Sequence, residues 1–197
     1  MIYILFLFSY LIGSISFAII ISKFMHIKDP RTYGSKNAGA TNVMRSGNKK
    51  AAIITLLGDC LKGIVVVEAA KYIMGTDLKV QSVIAICGIL VILGHVYPIF
   101  FKFKGGKGVA TALGVMIGFN IFLAVLLLIT WLISFKISKV SSLSALIAIL
   151  SSPIYAYLLM SNSAYFGAVL IIAFFVLYKH KSNIVRLING KEHQFKS

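Results

Sequence analysis

Lys104-Gly105-Gly106-Lys107-Gly108, followed by an apolar run from Val109, is a stretch suited to holding an anion. Glycines leave backbone N–H groups uncovered, the start of a helix aims its unpaired donors and its dipole the same way, and lysines add charge. The spacing is not the G-x-x-x-x-G-K-[ST] of a nucleotide loop. Lysines alone would read as anchors at a membrane boundary, but anchors do not require three glycines. A second polar stretch, Asp29–Lys50, is dense in small residues between Gly34 and Asn42. There Ser35, Asn37, Thr41 and Asn42 offer neutral hydrogen-bonding groups, and Arg45 supplies a cation that can grip a phosphate through two hydrogen bonds. A plain linker has a similar composition, so it is the small-residue density that favours a ligand.

The tail, Lys179–Phe195, contains His180 and Asn183, which share a face if the last helix continues through them. A tail histidine is most simply a solvated residue; at a membrane boundary beside cationic loops it is also a candidate proton acceptor. Ser141-Ser142 opens a helix after Lys139, either capping it or donating to a ligand from the same side. His95 with Pro98 reads as shaping the glycine loop, since proline ends a span. In residues 51–74, Asp59/Lys62 and Glu68/Lys71 stand three apart, a spacing for mutual neutralisation. Asp59 also lies near enough to the polar loops to steer Arg45 or Lys104.

What is missing narrows the chemistry. Five acidic residues scattered from Asp29 to Glu192 do not build a carboxylate cluster for Mg²⁺ or Mn²⁺. No histidine is followed five positions later by aspartate, and no G-x-S-x-G elbow occurs. The expectation is a site without metal or cofactor, rich in anion donors.

These residues must be carried by membrane helices. Of the 197 residues 59% are hydrophobic and only 13% charged, with a mean hydropathy of +0.93. A soluble domain is roughly 45–50% apolar and about 25% charged. Residues 1–22, 80–101, 108–135 and 140–178 hold no Lys, Arg, Asp or Glu. A net charge of +15 invites a nucleic-acid partner, but the cations lack the interleaved aromatic platform that stacks on bases. Membrane insertion places such charge on the cytoplasmic side instead. Cys60 and Cys87 fall in apolar stretches and read as packing residues. Positive charge follows the first apolar run, so that segment reads as retained and not as a cleaved signal peptide.

Parity of the basic clusters gives the topology. Residues 1–22 cross once, 51–74 return, and 80–101 cross again. If Lys136 and Lys139 stay inside, 108–135 crosses twice as two helices of about 13 residues, broken near Gly118-Phe119-Asn120. Residues 140–178 cross twice more, turning at Ser161-Asn162-Ser163. The expected fold is an all-α integral membrane protein with seven transmembrane helices, N-terminus outside and C-terminus cytoplasmic. Residues 1–197 form a single domain without internal repeat.

The runs GSKNAGATNVMR, GHVYPIFFKFKGGKGVAT, KVSSLSA and HKSNIVRLINGKE resemble the bacterial acyl-phosphate:glycerol-3-phosphate acyltransferases, along essentially the whole chain. The resemblance implies seven helices with an active site at the cytoplasmic face of the inner membrane. It implies transfer of an acyl chain from acyl phosphate to the 1-position of glycerol 3-phosphate, giving lysophosphatidic acid and phosphate, an early step in phospholipid synthesis. No metal, acyl-CoA or acyl carrier protein is implied as a direct participant; the partners are the two substrates and membrane lipid. The roles that follow are Gly105, Gly106, Lys107 and Gly108 on the donor phosphate, and Ser35, Asn37, Asn42, Arg45 and Lys104 on the acceptor. Ser142, His180 and Asn183 assist the chemistry, with Asp59 and His95 in support. Lys36 and Lys179 depart from the expected small residue and Arg. An organic-phosphate transporter is the alternative, although such proteins commonly carry inverted repeats and a midplane site.

Overall fold

Within a bilayer each backbone N–H and C=O must be satisfied inside its own segment, so charge-free runs of Leu, Ile and Val fold as helices. The computed structural model describes residues 1–160 and 163–195, and every regular element among them is helical. The order is α1 (Ile2–Gly13), α2 (Phe17–Phe24), α3 (Ala40–Met44), α4 (Lys49–Met74) and α5 (Gln81–Val96), then α6 (Val109–Phe119), α7 (Ile121–Ser138), α8 (Ser141–Leu159), α9 (Ser163–Lys179) and α10 (Lys181–Ile188). Single 3₁₀ turns flank α5 at Leu78–Val80 and Ile99–Phe101.

Three helical stretches described here are long and apolar enough to cross a membrane: residues 78–101, α7 and α8, with mean hydropathies of 2.4, 2.3 and 1.7. Two bent pairs, α1–α2 at 45° and α9–α10 at 57°, qualify if each is taken as one span. The 26 residues of α4 are long enough, but Asp59, Lys62, Glu68 and Lys71 lower their hydropathy. At 11 residues α6 is apolar but short.

Each break has a polar partner. Residues 1–22, expected as one crossing, bend between Gly13 and Phe17. Lys62 Nζ from α4 donates to the freed carbonyls of Gly13 at 2.9 Å and Ile15 at 2.8 Å. The break in 108–135 falls at Asn120, whose Oδ1 accepts from Phe122 N at 2.9 Å and Leu123 N at 3.2 Å. Lys71 Nζ donates to the Gly118 carbonyl at the end of α6. The two halves are unequal, 11 and 18 residues instead of about 13 each, because α7 runs on past Lys136. A lysine in the last turn can extend its ammonium beyond the apolar layer, so it need not end the helix. Of the turn expected at Ser161-Asn162-Ser163, Ser161 and Asn162 lie outside the described residues.

Lipid tails are as apolar as leucine, so helices in a membrane associate through close packing of small residues. A Cβ on Gly114 of α6 would strike the Cys60 carbonyl of α4, and one on Gly94 of α5 would strike the Tyr10 carbonyl of α1. Around these contacts Val67, Ile84, Val91, Val115, Met116 and Ile172 are fully buried. Ile53 and Leu57 of α4, Leu132 and Ile133 of α7, and Phe174 of α9 face outward. Helix α5 sits at the centre, against α1, α4 and α9.

Candidate active site

One end of the bundle gathers the α2–α3 loop, the glycine loop, the start of α8, the α9–α10 break and the tail. A cavity of about 150 Å³ lies among them. Its polar wall includes Ser35, Asn37, Arg45, Lys107, Ser142, His180, Asn183 and Glu192; its apolar side includes Leu56, Val109, Ala110, Trp131, Ala145 and Phe195. A larger, more open basin of about 780 Å³ adjoins it, and Ser35, Asn37 and Lys107 line both.

The α2–α3 loop is held from within. Asn42 is buried; its Oδ1 accepts from Ser35 N at 3.0 Å, and its Nδ2 donates to the carbonyls of Pro30 at 2.6 Å and Tyr33 at 3.2 Å. Although it borders the cavity, both ends of its amide serve the loop, so Asn42 braces the ligand residues and is not itself a free donor. Arg31 is occupied by Asp29 through Nε and Nη2. Arg45, at the C-terminal end of α3, is different. Burial pulls its guanidinium below the usual range against the attraction of Glu192, and its buried Nη1 has no hydrogen-bond partner among the described residues.

The glycine loop rests on α5. Gly106 N donates to the His95 carbonyl at 3.2 Å, and a Cβ at Gly106 would collide with the His95 ring and the Ala38 carbonyl. Gly108, at φ +88°, is in the left-handed region that lets the loop turn into α6 without strain. Lys102 and Phe103, at φ +56° and +58°, adopt the same region with side chains attached, which costs an L-residue roughly 1–2 kcal/mol. That reversal separates the two lysines of the motif. Lys107 borders both cavities, whereas Lys104 is exposed and lines only the outer basin, so it does not stand beside Arg45 as expected.

Beneath the loop Asp59 pairs with Lys62 at 2.9 Å, as the i, i+3 spacing predicts, and lies 3.4 Å from His95 Nδ1. Asp59 is therefore committed to these two and steers neither Arg45 nor Lys104. Outside this cluster Glu68 and Lys71 form the second expected pair at 3.0 Å.

The last helix does not continue through His180. It bends there, and His180 and Asn183 meet the cavity from either side of the bend. His180 Nδ1 lies 2.8 Å from the Val176 carbonyl, which can only accept, so Nδ1 carries the hydrogen and Nε2 is left as the acceptor. Burial takes the imidazole down to about 4, with Lys107 adding to the fall against the Val176 carbonyl and Glu192; the ring is neutral near pH 7. Lys107 donates to Asn183 Oδ1. Burial lowers its ammonium to about 8, assisted by Arg186, Arg45 and Lys179 and opposed by Glu192.

Two residues enter the site unexpectedly. Glu192 accepts from Ser142 Oγ at 3.0 Å, Asn183 Nδ2 at 2.8 Å and Arg186 Nε at 2.6 Å. Burial raises its carboxyl, but these three hydrogen bonds win and hold it below the usual range. Glu192 thus occupies Ser142, which neither caps α8 nor stands free, while Ser141 Oγ meets Thr41 Oγ1 at 3.1 Å. The tail continues as a strap: Phe195 N donates to the Lys139 carbonyl at 2.9 Å, and its ring meets Phe135 edge-on at 5.7 Å. The sequence did carry a signal, since Glu192 is the only carboxylate after Asp77. Among the described residues, no three His, Cys, Asp or Glu side chains gather as metal ligands.

The site is thus a cationic, glycine-framed pocket beside an apolar wall, carried by a helical membrane protein. The chain belongs to the glycerol-3-phosphate acyltransferase family, whose sequence model matches residues 3–190. It is 50% identical over 185 residues to a glycerol-3-phosphate acyltransferase of Chromobacterium violaceum, covering 93% of this chain and 90% of that one. To the enzyme so named in Herminiimonas arsenicoxydans it is 51% identical over 190 residues, 96% and 92% of the two chains. The crystal structure of PlsY (YgiH), an integral membrane glycerol 3-phosphate acyltransferase in its glycerol 3-phosphate form, is similar with a TM-score of 0.93 at 36% identity, covering 99% and 96%. Its lysophosphatidic acid form gives 0.91 at 35% identity, covering 99% and 95%.

Proposed function

We propose that the protein acylates the 1-position of glycerol 3-phosphate with acyl phosphate, producing 1-acyl-glycerol 3-phosphate and inorganic phosphate. The observation that carries this reading is the buried Arg45 Nη1, without a hydrogen-bond partner among the described residues, in a pocket that also holds Lys107 and has an apolar wall. Such a pocket suits a phosphate attached to a hydrocarbon chain.

Acyl phosphate is a mixed anhydride, so no enzyme nucleophile is needed. The acceptor hydroxyl oxygen bonds to the acyl carbon, the bond from that carbon to the phosphate oxygen breaks, and phosphate leaves with the electron pair. Lys107 neutralises the leaving phosphate beside the backbone of Gly108, while Gly105 and Gly106 shape the loop that carries them; Ser35, Asn37 and Arg45 orient the acceptor, which Lys104 meets from the outer basin, with Asn42 and Ser142 holding that wall. Positioning and charge stabilisation of this kind supply much of an enzyme's acceleration. The neutral His180, oriented through Val176 and set near Asn183, receives the hydroxyl proton through Nε2. The acyl chain reaches the pocket sideways from the bilayer past Trp131 and Val109.

The same reading takes seven crossings, with α1–α2 as one and α4 to α9 as the other six. The N-terminus lies outside and the basic end faces the cytoplasm of a bacterial inner membrane, in accord with the positions of Lys and Arg.

Purified protein in detergent, given acyl phosphate and glycerol 3-phosphate, should release phosphate and form the 1-acyl product. No release under these conditions sinks the proposal and leaves transport of an organic phosphate. His180→Ala should lower turnover about 10²-fold. Near-normal turnover in that variant would transfer the base role to a substrate phosphate.

A further inference from the structure

Lys62 carries a buried ammonium that the proposed reaction leaves unused, and its neighbours Asp59 and His95 are buried with it. Mutual neutralisation alone is a weak reason to keep such a pair. Two apolar side chains of similar volume often stabilise a protein as well or better. An ammonium does offer three hydrogens to three acceptors at once, and here all three are used, by Asp59 and by the carbonyls of Gly13 and Ile15.

These contacts reach the glycine loop by two routes. The first runs beneath it. A single carboxylate oxygen, Asp59 Oδ1, stands 2.9 Å from Lys62 Nζ and 3.4 Å from His95 Nδ1. The His95 carbonyl accepts from Gly106 N at 3.2 Å, and the Nε2 edge of its ring lies against Gly106. The second route runs through the α1–α2 bend. Gly13 and Ile15 flank Ser14, whose Oγ accepts from Ile99 N at 3.4 Å. One turn earlier, Tyr10 Oη donates to the Tyr97 carbonyl at 2.7 Å. Tyr97 and Ile99 lie on the stretch that leads from α5 into the glycine loop. The far end of the loop is fixed to the same part of α4, since a Cβ on Gly63 would strike the Thr111 carbonyl and Val115 N of α6. The acceptor wall is braced differently: Asn42 holds the loop of Ser35 and Asn37 from within, through Ser35, Pro30 and Tyr33.

We propose that Lys62 is a positioning residue for the acyl donor. It keeps Asp59, His95 and the α1–α2 bend in one register and through them sets the glycine loop, so that Lys107 and the Gly108 backbone meet the phosphate of acyl phosphate. The assignment rests on the acylation reading above.

The test compares Lys62→Met, the charge-free double variant Asp59→Asn/Lys62→Met, and Ser14→Ala, which keeps every charge and removes only the acceptor of Ile99 N. Thermal midpoints are measured beside KM for acyl phosphate and for glycerol 3-phosphate, each with the other saturating. An ångström of misplacement can cost about a hundred-fold, so KM for acyl phosphate should rise about ten-fold or more in both Lys62 variants. Ser14→Ala should raise it less, and KM for glycerol 3-phosphate should hold throughout. The double variant leaves no buried charge unpaired between positions 59 and 62, so its thermal midpoint should lie above that of Lys62→Met. Its donor KM should stay raised. Recovery of donor KM together with the midpoint would reduce the pair to mutual neutralisation and overturn the proposal. Equal rises in both KM values, or a wild-type donor KM in Ser14→Ala, also overturn it. If Lys62→Met does not fold, the other two variants carry the same comparison. Wild type that makes no acylated product refutes the acylation reading instead. Equilibrium binding of inorganic phosphate to wild type and the double variant then decides whether Lys62 sets an anion loop: weaker binding in the variant supports it, and equal binding overturns it.

Discussion

Gly106→Ala adds a methyl group where the fold has no space for one. The new Cβ would stand 2.8 Å from the Ala38 carbonyl oxygen and 2.8 Å from His95 Cε1, about 0.6 Å inside an ordinary 3.4 Å contact on two sides, and closer still to His95 Nε2. Neither neighbour yields easily: one is backbone, and the other is a ring only 6% exposed with Asp59 behind it. The glycine loop must move instead. Overpacking of this kind costs about 1–3 kcal/mol. If that energy is expressed as lost phosphate affinity, KM for the substrate bound by the loop rises roughly 5- to 150-fold, since about 1.4 kcal/mol is tenfold. The assay is KM for each substrate with the other saturating, beside the thermal midpoint of each variant. His95→Ser provides the partner for a double-mutant cycle: with the ring gone, the Gly106→Ala penalty should shrink by at least about 0.5 kcal/mol. Wild-type KM values for both substrates, or strictly additive effects in the double variant, would refute the clamp of His95 on Gly106.

Lys107, with its ammonium lowered to about 8, should lose charge as pH rises, so kcat/KM should fall above pH 8. Lys107→Arg should carry activity to higher pH, and an unmoved alkaline limb in a pH–rate profile would count against Lys107 as the responsible cation. Glu192 is held below the carboxylate range, so its contribution to tail docking is present above the unfolded value of 4.5 and is lost as pH falls through the lower folded value. Trp131, the single tryptophan, stacks on Phe135, which in turn meets Phe195 of the strap, and its fluorescence should report that release. Glu192→Gln should abolish the acid transition; its persistence there would show that another group controls the tail.

Which residues gather at one end was legible in part because Ser35, Asn37, Arg45 and Lys107 fall in the polar loops between the charge-free runs. The break near Gly118-Phe119-Asn120 was legible too, since Asn caps the helix that follows it. The lengths on either side were not, because a lysine at a helix end need not stop the helix. Composition also could not separate the asparagines. Asn37 borders the cavities without the buried commitments of Asn42, whose amide is used up by Ser35, Pro30 and Tyr33. Lys104 and Lys107 look like one cluster in sequence, but only Lys107 reaches the inner cavity, while Lys104 lines the outer basin alone. Glu192 was hidden by distance, since its partners Ser142 and Asn183 lie 50 and 9 residues away.

The ammonium of Lys62 also bears on how the chain is assembled. It donates to carbonyls 49 and 47 residues earlier, at the bend between α1 and α2. Those carbonyls leave the ribosome well before the helix that satisfies them. In a bilayer an unsatisfied carbonyl is costly, so the bent shape of the first segment belongs to the stage after α4 has docked. Chain order and structural order run in opposite directions here: the N-terminal segment enters first and takes its final form from a helix synthesised later.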